Sequence, residues 1–575
     1  MGYLKVYTEK AVEEIYPNSL SNSVHFALSE DGVEFHPLNQ GYGILFAEAA
    51  IRPDNTIEEL GIRNPVVYSE NGKYFVAAGF VDACGKPVKE DRRVRWSSQD
   101  FLTFSQQENV PAERSPGKNV PVEEVSEEAC GCREYGEKAS ECRVPVEEAG
   151  GCRGPEKRSC IIALPDELCQ KIKDRWMPLE AVKAEVETPP LLDSMEDVEQ
   201  IHALVTYSDG SVDRKKVIWD KDGIEETDSG HFRIRGKIGR VDTGFPLAVG
   251  YADPVVFFWE GAWYFLATND NVDDVGLFVR KADSVAKLFD EATEEYCILD
   301  YDEEKGFCQT FWAPEFHVIG GRLYILFAVS SRQWGPQCHM MRLKEGGSII
   351  APDDWEEPIR VCRRDGTPLA PEGITLDMTY FHTETGDYLC WSYRYGIGTP
   401  ADTGSMLYIA TTQADTPWKL ISEPVLLSRP LYGWENNSGT INNEGPYPLI
   451  LGDQIYLAYS GGAACGYSYV VGFLTAHTGE DLLDVKNWEK TPTPAFHSLS
   501  VEGIQGPGHN SFFVDESGRL MIAYHGQERE KYFKRCTAIH RVHISKAGIP
   551  LLNVAGERDV PASMEEIEAT FWLKQ

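Results

Sequence analysis

The amino-acid sequence predicts an all-β chain built around a five-bladed β-propeller, preceded by propeller-like strands and a small β-sandwich. A motif returns five times in the second half, each copy joining a carboxylate or polar residue, an apolar run, a tight turn and an aromatic run. The copies begin at Asp253, Pro314, Asp377, Glu444 and His509, spaced by roughly 60 to 70 residues, enough for a four-stranded sheet and its connections. An aromatic content of 11% with 51 glycines and 33 prolines suits many short strands and turns. No long heptad pattern occurs, nor any continuous apolar stretch near the roughly 20 residues of a membrane span.

Along the chain, residues 1–105 read as an N-terminal β accessory domain, in which Val24-His-Phe-Ala-Leu-Ser leads to a turn at Glu30-Asp-Gly. Asn64-Pro-Val-Val-Tyr-Ser-Glu-Asn-Gly-Lys-Tyr-Phe-Val then echoes the Asp253 copy with an amide in place of the acid. An amide neither gives nor takes a proton near neutral pH, so this sixth echo is expected to be blade-like and non-catalytic. Residues 106–160 are charged and rich in Glu and Cys, with Val120-Pro-Val-Glu-Glu repeated at Val144, and are expected to form a flexible insertion or linker. Cys130, Cys132, Cys142, Cys152 and Cys160 lack the paired spacing and the nearby histidines of a zinc site. Residues 161–244 are expected to hold a short helix starting near Pro165, with Asp166 and Glu167 at its positive end, and then a β-sandwich. There Ile201-His-Ala-Leu-Val-Thr-Tyr-Ser-Asp-Gly-Ser-Val alternates around an Asp-Gly turn, and the stretch through Trp219 and Gly236 resembles bacterial immunoglobulin-like modules that accompany carbohydrate enzymes. Residues 245–575 hold the propeller.

A net charge of −35 repels phosphate backbones and anionic lipid, which argues against nucleic-acid and membrane partners and suits a neutral substrate. The first ten residues lack the apolar core of a secretory signal, and 14 cysteines are dilute in 575 residues, with Cys390 and Cys465 set inside apolar runs. These features read as a cytoplasmic protein with buried free thiols, and a homo-oligomer is left open.

A radial array brings equivalent positions of each blade to one channel, so Asp253, Asp377 and Glu444 are expected to converge. Glycosidic hydrolysis needs that chemistry: one carboxylic acid protonates the leaving oxygen while a carboxylate activates water, and a third carboxylate can hold the two in opposite protonation states. Tyr251-Ala-Asp-Pro, Phe311-Trp-Ala-Pro-Glu, Leu376-Asp, Asn443-Glu-Gly-Pro-Tyr and Gly506-Pro-Gly-His-Asn-Ser stand in fixed order. Over about residues 248–555 this combination resembles the five-bladed propeller enzymes of glycoside hydrolase family 43. The resemblance implies Asp253 as general base, Glu444 as general acid, and Asp377 as the group that orients the acid and raises its pKa. It also implies inversion, with base and acid about 6.5 to 9.5 Å apart. By the same likeness Trp312 walls the sugar pocket, Glu315 is structural, His509 lies at the channel floor, and Arg535 binds substrate hydroxyls beside the acids. Each has a plainer alternative: Asp253 and Glu444 as turn residues, Asp377 paired with an arginine, Trp312 in the core, His509 as a satisfied channel histidine.

No cofactor is required by this chemistry. A structural calcium in the channel, reached by His509 through water, is carried over from some members of the resembled family. The expected activity is that of an inverting exo-glycoside hydrolase releasing terminal α-L-arabinofuranose or β-D-xylose from oligosaccharides, with the Tyr395–Ser405 loop available to close one end of a groove. A phosphorylase would need a basic phosphate cradle beside these motifs. A non-catalytic carbohydrate-binding propeller would tolerate loss of an acid, whereas all three are present.

Overall fold

A computed structural model describes residues 1–12, 16–88, 92–111, 159–187, 191–228, 230–239, 244–437, 440–527, 534–553 and 560–574. They fall into two compact units, one of Met1–Ala11, Ser21–Ala47 and Leu60–Met177, the other of Val12–Leu20, Glu48–Glu59 and Pro178–Gln575. Among the described residues no helix is long and apolar enough to cross a membrane.

The first unit carries two four-stranded sheets. One orders Cys160–Leu164, Gly2–Tyr7, His25–Ser29 and His36–Pro37; the other is the meander Gly61–Glu70, Lys73–Val81, Arg92–Ser98 and Ser105–Pro111. The meander contains the sixth echo, and its first strand bulges between Arg63 and Val66 around Asn64, which adopts φ 53°. The helix forms as Asp166–Trp176 with acids in its first turn, and it belongs to this unit, burying Ile172 and Trp176. The linker expected at 106–160 lies almost wholly outside the described residues, as do Cys130, Cys132, Cys142 and Cys152; its two ends, near Pro111 and Cys160, are in strands.

The second unit contains the propeller. Five antiparallel sheets of four strands follow the repeat. Blade 1 starts at Tyr251–Trp259, blade 2 at Gln309–Ile319, blade 3 at Ile374–Thr383, blade 4 at Asn443–Leu451 and blade 5 at Gln505–Val514. The aromatic run of each copy supplies the second strand, as in Ala262–Asn269 and Leu520–Gln527. Closure uses both ends of the repeat: the outer strand of blade 5 is Ala248–Val249, which precedes blade 1 and pairs with Cys536–Arg541. A strand donated across the seam removes the open edge that a linear array would leave.

Neighbouring blades pack face to face. Leu266 and Val279 of blade 1 share a core with Phe316, Ile325 and Phe327 of blade 2. Leu326 and Met340 of blade 2 meet Met378, Leu389 and Trp391 of blade 3. At the seam, Val256 and Phe265 of blade 1 meet Phe513, Ala523 and Ile539 of blade 5.

Two parts of this unit come from outside the repeat. Ala181–Val186, His202–Tyr207, Val212–Trp219, His231–Ile238 and Glu225–Asp228 form one connected sheet, and the C-terminal strand Glu566–Trp572 pairs along His231–Lys237. Stretch 245–575 therefore contributes one strand to this sheet beside the blades. Val205, Tyr207, Trp219, Ile234 and Phe571 fill the sheet's core. The short hairpin Ala50–Ile51 with Ile57–Glu58 is bound by the Arg429 guanidinium, which donates to the side-chain and backbone oxygens of Asn55 at 2.7 Å each. Beside Arg429, Lys490 and Glu435 form a buried ion pair of 2.6 Å that also takes hydrogen bonds from Tyr459 and Asn443.

Cysteine placement agrees in part with expectation. Cys169, Cys338, Cys390 and Cys536 are buried free thiols, but Cys465 is exposed, because Gly462–Tyr469 is a loop and not a strand core.

Candidate active site

The site is built from one local irregularity repeated around the ring. In every blade the first strand bulges: three steps along it match two along its partner, as between Ala252↔Thr268 and Val255↔Leu266, or Leu376↔Ser392 and Thr379↔Cys390. The residue just after the first matched pair takes a left-handed backbone: Asp253 (φ 54°), Ala313 (45°), Asp377 (55°), Gly445 (56°) and His509 (46°). Asp tolerates this conformation better than most residues. Gly445 is required, since a Cβ there would stand 2.9 Å from the His509 ring as well as at positive φ. Asp253, Asp377 and His509 are thus structurally equivalent. Glu444 is not equivalent to them; it occupies the preceding position, matched by Ala252, Trp312, Leu376 and Gly508.

Bulge amides are satisfied by the preceding blade. Ala313 N–H donates to Thr268 Oγ1 (2.9 Å), Gly445 N–H to Asp377 Oδ2 (3.1 Å), His509 N–H to Ser460 Oγ (2.7 Å) and Asp253 N–H to His525 Nδ1 (3.2 Å). Thr268, Ser392, Ser460 and His525 share one position, opposite the residue that opens the bulge. They register blade 1 against 2, 3 against 4, 4 against 5 and 5 against 1, which helps fix where the carboxylates stand.

Asp253, Asp377 and Glu444 are all buried. Asp253 accepts the Thr268 hydroxyl at 2.6 Å on Oδ2, while Oδ1 lies 3.5 Å from Arg535 Nη1 and 3.2 Å from Nδ1 of both His509 and His525. Burial alone would raise its pKa, but His509, Arg535 and His525 outweigh it and hold the carboxyl well below the usual range. His509 is itself pushed down to about 4 by burial, helped by His525 and Arg535 against Asp253, so at neutral pH His509 is uncharged beside the Arg535 guanidinium. Glu444 moves the other way. Burial and the Asp253 charge push it up to about 7, against the Tyr469 hydroxyl that donates to Oε1 at 2.8 Å and the Arg394 and Arg535 charges. Asp377 is driven well above its ordinary value by burial, then by Glu444 and Asp253. Its Oδ2 receives Gly445 N–H and, at 3.4 Å, Ser392 Oγ, which stands 3.4 Å from the Asn443 carbonyl as well. Asp377 therefore holds the backbone just after Glu444, and Ser392 stands between Asp377 and the carbonyl just before it.

The other expected residues gather at the same channel. Trp312 is partly exposed and donates its indole N–H to Asp274 at 2.8 Å. Arg535 donates to Asp270 through Nε (3.1 Å) and Nη2 (2.6 Å) while Nη1 faces Asp253. Glu315 lies buried against His317 at 2.6 Å. Among the described residues no three His, Cys, Asp or Glu side chains are grouped to hold a metal ion, and His509 turns Nδ1 to Asp253. The residues do not fit a directly ligated calcium, which takes about 6 to 8 oxygen ligands.

Thr268, His525, Tyr469, Arg394 and Asp270 were not anticipated from sequence. A signal for two of them exists: the residue ending each aromatic run is Thr268, Ala328, Ser392, Ser460 or His525, mostly a hydrogen-bonding side chain facing the bulge.

A closed five-bladed propeller with carboxyls driven to opposite protonation in one channel defines a glycoside hydrolase. The chain belongs to the glycosyl hydrolases of family 43, whose family model matches residues 246–550. It is 33% identical over 285 residues to an extracellular exo-alpha-(1->5)-L-arabinofuranosidase of Streptomyces chartreusis, spanning 49% of this chain and 82% of that protein. An enzyme of the same name from Streptomyces avermitilis is 32% identical over 49% of this chain and 55% of its own length, so the chain spans about half of that relative. A solved alpha-L-arabinofuranosidase from Lactobacillus brevis aligns with a TM-score of 0.47 and 29% identity, over 54% of this chain and 95% of that one. Two relatives named as extracellular overturn the expectation of a cytoplasmic location, which rested on the first ten residues and on dilute cysteines.

Proposed function

We propose that the protein is an inverting, exo-acting α-L-arabinofuranosidase that removes terminal α-L-arabinofuranose from α-1,5-linked oligosaccharides. The observation that carries this reading is the opposed protonation of Asp253, held ionised, and Glu444, held near 7, within one buried channel. Asp253 takes the proton of a water that attacks the anomeric carbon. As the C–O bond breaks, Glu444 gives its proton to the leaving oxygen, and free arabinose of inverted configuration departs. Asp377 orients the acid through the Gly445 N–H that follows it. Trp312 offers an aromatic face to the sugar, and His509 and Arg535 bind hydroxyls near the base. The names of the two Streptomyces relatives support the sugar and linkage. The Arg394–Asp402 pair, bonded at 2.9 and 2.7 Å, ties the Tyr395–Ser405 loop beside Glu444 and supports a closed, terminal-sugar pocket.

The test is to follow α-1,5-arabinotriose by chromatography and proton NMR. Stepwise release of arabinose, first seen as the β-anomer, is expected. Internal cleavage, a first-formed α-anomer, or faster turnover of 4-nitrophenyl β-D-xyloside than of the arabinofuranoside would overturn the reading.

A further inference from the structure

Tyr469 is fully buried, and its hydroxyl reaches the carboxyl assigned above as the acid. The ring is held by two paired residues of blade 5. It stacks on His525 with centroids 5.4 Å apart and planes 11° from parallel. It also lies against Gly508, where any Cβ would come within 2.2 Å of the tyrosine Cδ1. A ring held this closely fixes its hydroxyl, which donates to Oε1 of Glu444 at 2.8 Å. An oxygen that accepts a phenol O–H is a poor place for a second proton, so the carboxyl proton is left on Oε2.

We propose that Tyr469 is the positioning residue of the acid: it commits the Glu444 proton to Oε2, aims that oxygen at the leaving group, and stabilises the carboxylate left after transfer. The proposal rests on Glu444 being the general acid. Tyr469 gives up no proton itself, since the proton moves from Glu444 Oε2 to the leaving oxygen as the glycosidic bond breaks. Burial and the nearby Glu444, Asp253 and Asp377 charges keep its phenol protonated far above its ordinary value, with Ser460 opposing. The groups facing Glu444 are therefore Tyr469 from blade 4, Asp253 from blade 1, Asp377 and Arg394 from blade 3, Arg535 before the third strand of blade 5, and Cys465 in the blade 4 loop. Among them Tyr469 is the neutral donor bonded to the acid.

The experiment is the pH dependence of kcat/KM on α-1,5-arabinobiose, whose departing sugar needs the proton. Tyr469→Phe keeps the ring and its stacking but deletes the donor, so the basic limb is expected to move up by about one pH unit with kcat down about tenfold. Site-specific replacement of Tyr469 by 3-fluorotyrosine strengthens the donor and is expected to move the limb down, and it keeps the test valid should the phenylalanine variant misfold. A ring that only fills space would change the rate equally at every pH; limbs that stay fixed in both variants overturn the proposal. Glu444→Gln is run alongside. Loss of the basic limb there supports the acid assignment, whereas its survival sinks that assignment and this proposal with it, without reference to Tyr469.

Discussion

Replacing Glu444 by Gln is expected to slow arabinobiose hydrolysis and at the same time to stabilise the protein in alkaline solution. The carboxyl is moved by burial and the Asp253 charge from 4.5 in the unfolded chain to about 7 in the folded one. A raised folded pKa contributes stability that is fully present below 4.5 and is lost as pH climbs through 7, because ionising the buried group opposes the fold. The interval corresponds to about 3 kcal/mol above pH 8, at about 1.4 kcal/mol per pH unit. Between pH 5 and pH 8.5 the wild type is expected to lose about 2.5 kcal/mol from this group that Gln, which cannot ionise, does not lose. Gln keeps the volume and can still accept the Tyr469 hydroxyl. Chemical denaturation of both proteins at the two pH values measures the difference of differences directly. Activity gives the second readout. Removing a general acid costs about 10²- to 10⁴-fold on arabinobiose and much less on a 4-nitrophenyl glycoside, whose leaving group departs without a proton. In the wild type, arabinobiose turnover is expected to fall about tenfold per pH unit above 7. An equal stability change at pH 5 and 8.5 would refute the electrostatic reasoning, and undiminished arabinobiose hydrolysis would refute the role.

Asp253→Asn is expected to lower turnover of arabinobiose and of 4-nitrophenyl α-L-arabinofuranoside alike by about 10²- to 10⁴-fold, since water activation is needed whatever the leaving group; steady-state rates on the two substrates check it. Asp270→Asn frees Arg535 from its two-point anchor, so KM is expected to rise and kcat/KM to fall about tenfold, with Asp270→Glu restoring part of the loss. Glu435→Gln leaves the buried Lys490 ammonium without its counter-charge and is expected to cost about 3 to 5 kcal/mol in urea denaturation while the folded fraction keeps its pH profile. Dialysis against a chelator is expected to leave arabinobiose turnover unchanged, a matter of one rate measurement before and after.

What could be read along the chain was whatever depends on periodicity. Five copies of one pattern located the blades, because each blade must bury the same faces against its neighbours and so repeats the same apolar and aromatic runs. The three acids were found because each stands at the head of a copy. The partners of those acids were hidden for a physical reason: they come from other strands and other blades. Thr268, which donates to Asp253, lies 15 residues away on the neighbouring strand, and His525 lies 272 residues away on blade 5. Nothing in a linear pattern ranks Asp270 above Asp273 or Asp274 as the anchor of Arg535; only the fold decides that. The closing strand Ala248–Val249 and the returning strand Glu566–Trp572 were likewise invisible, since two residues carry no period and the second pairs with a segment more than 300 residues earlier in the chain.

The offset of Glu444 explains why the repeat alone overstated the symmetry of the site. Asp253 and Asp377 project from the left-handed bulge position, whereas Glu444 projects from the residue before it, and glycine takes the bulge. In a strand, adjacent positions point to opposite faces, and a bulge re-aims the side chains beyond it. Glu444 is therefore aimed differently from Asp253, with its Oε1 bonded to Tyr469. That single-residue shift gives the two carboxyls different neighbours: Asp253 lies against an arginine and two imidazoles, whereas Glu444 accepts a phenol O–H and is raised by burial and the Asp253 charge against Arg394 and Arg535. Moving the acid into the equivalent position, by combining Glu444→Gly with Gly445→Glu, would drive a side chain into the His509 ring. The His509 ring would have to shift to admit it, and with it the contact between His509 Nδ1 and Asp253.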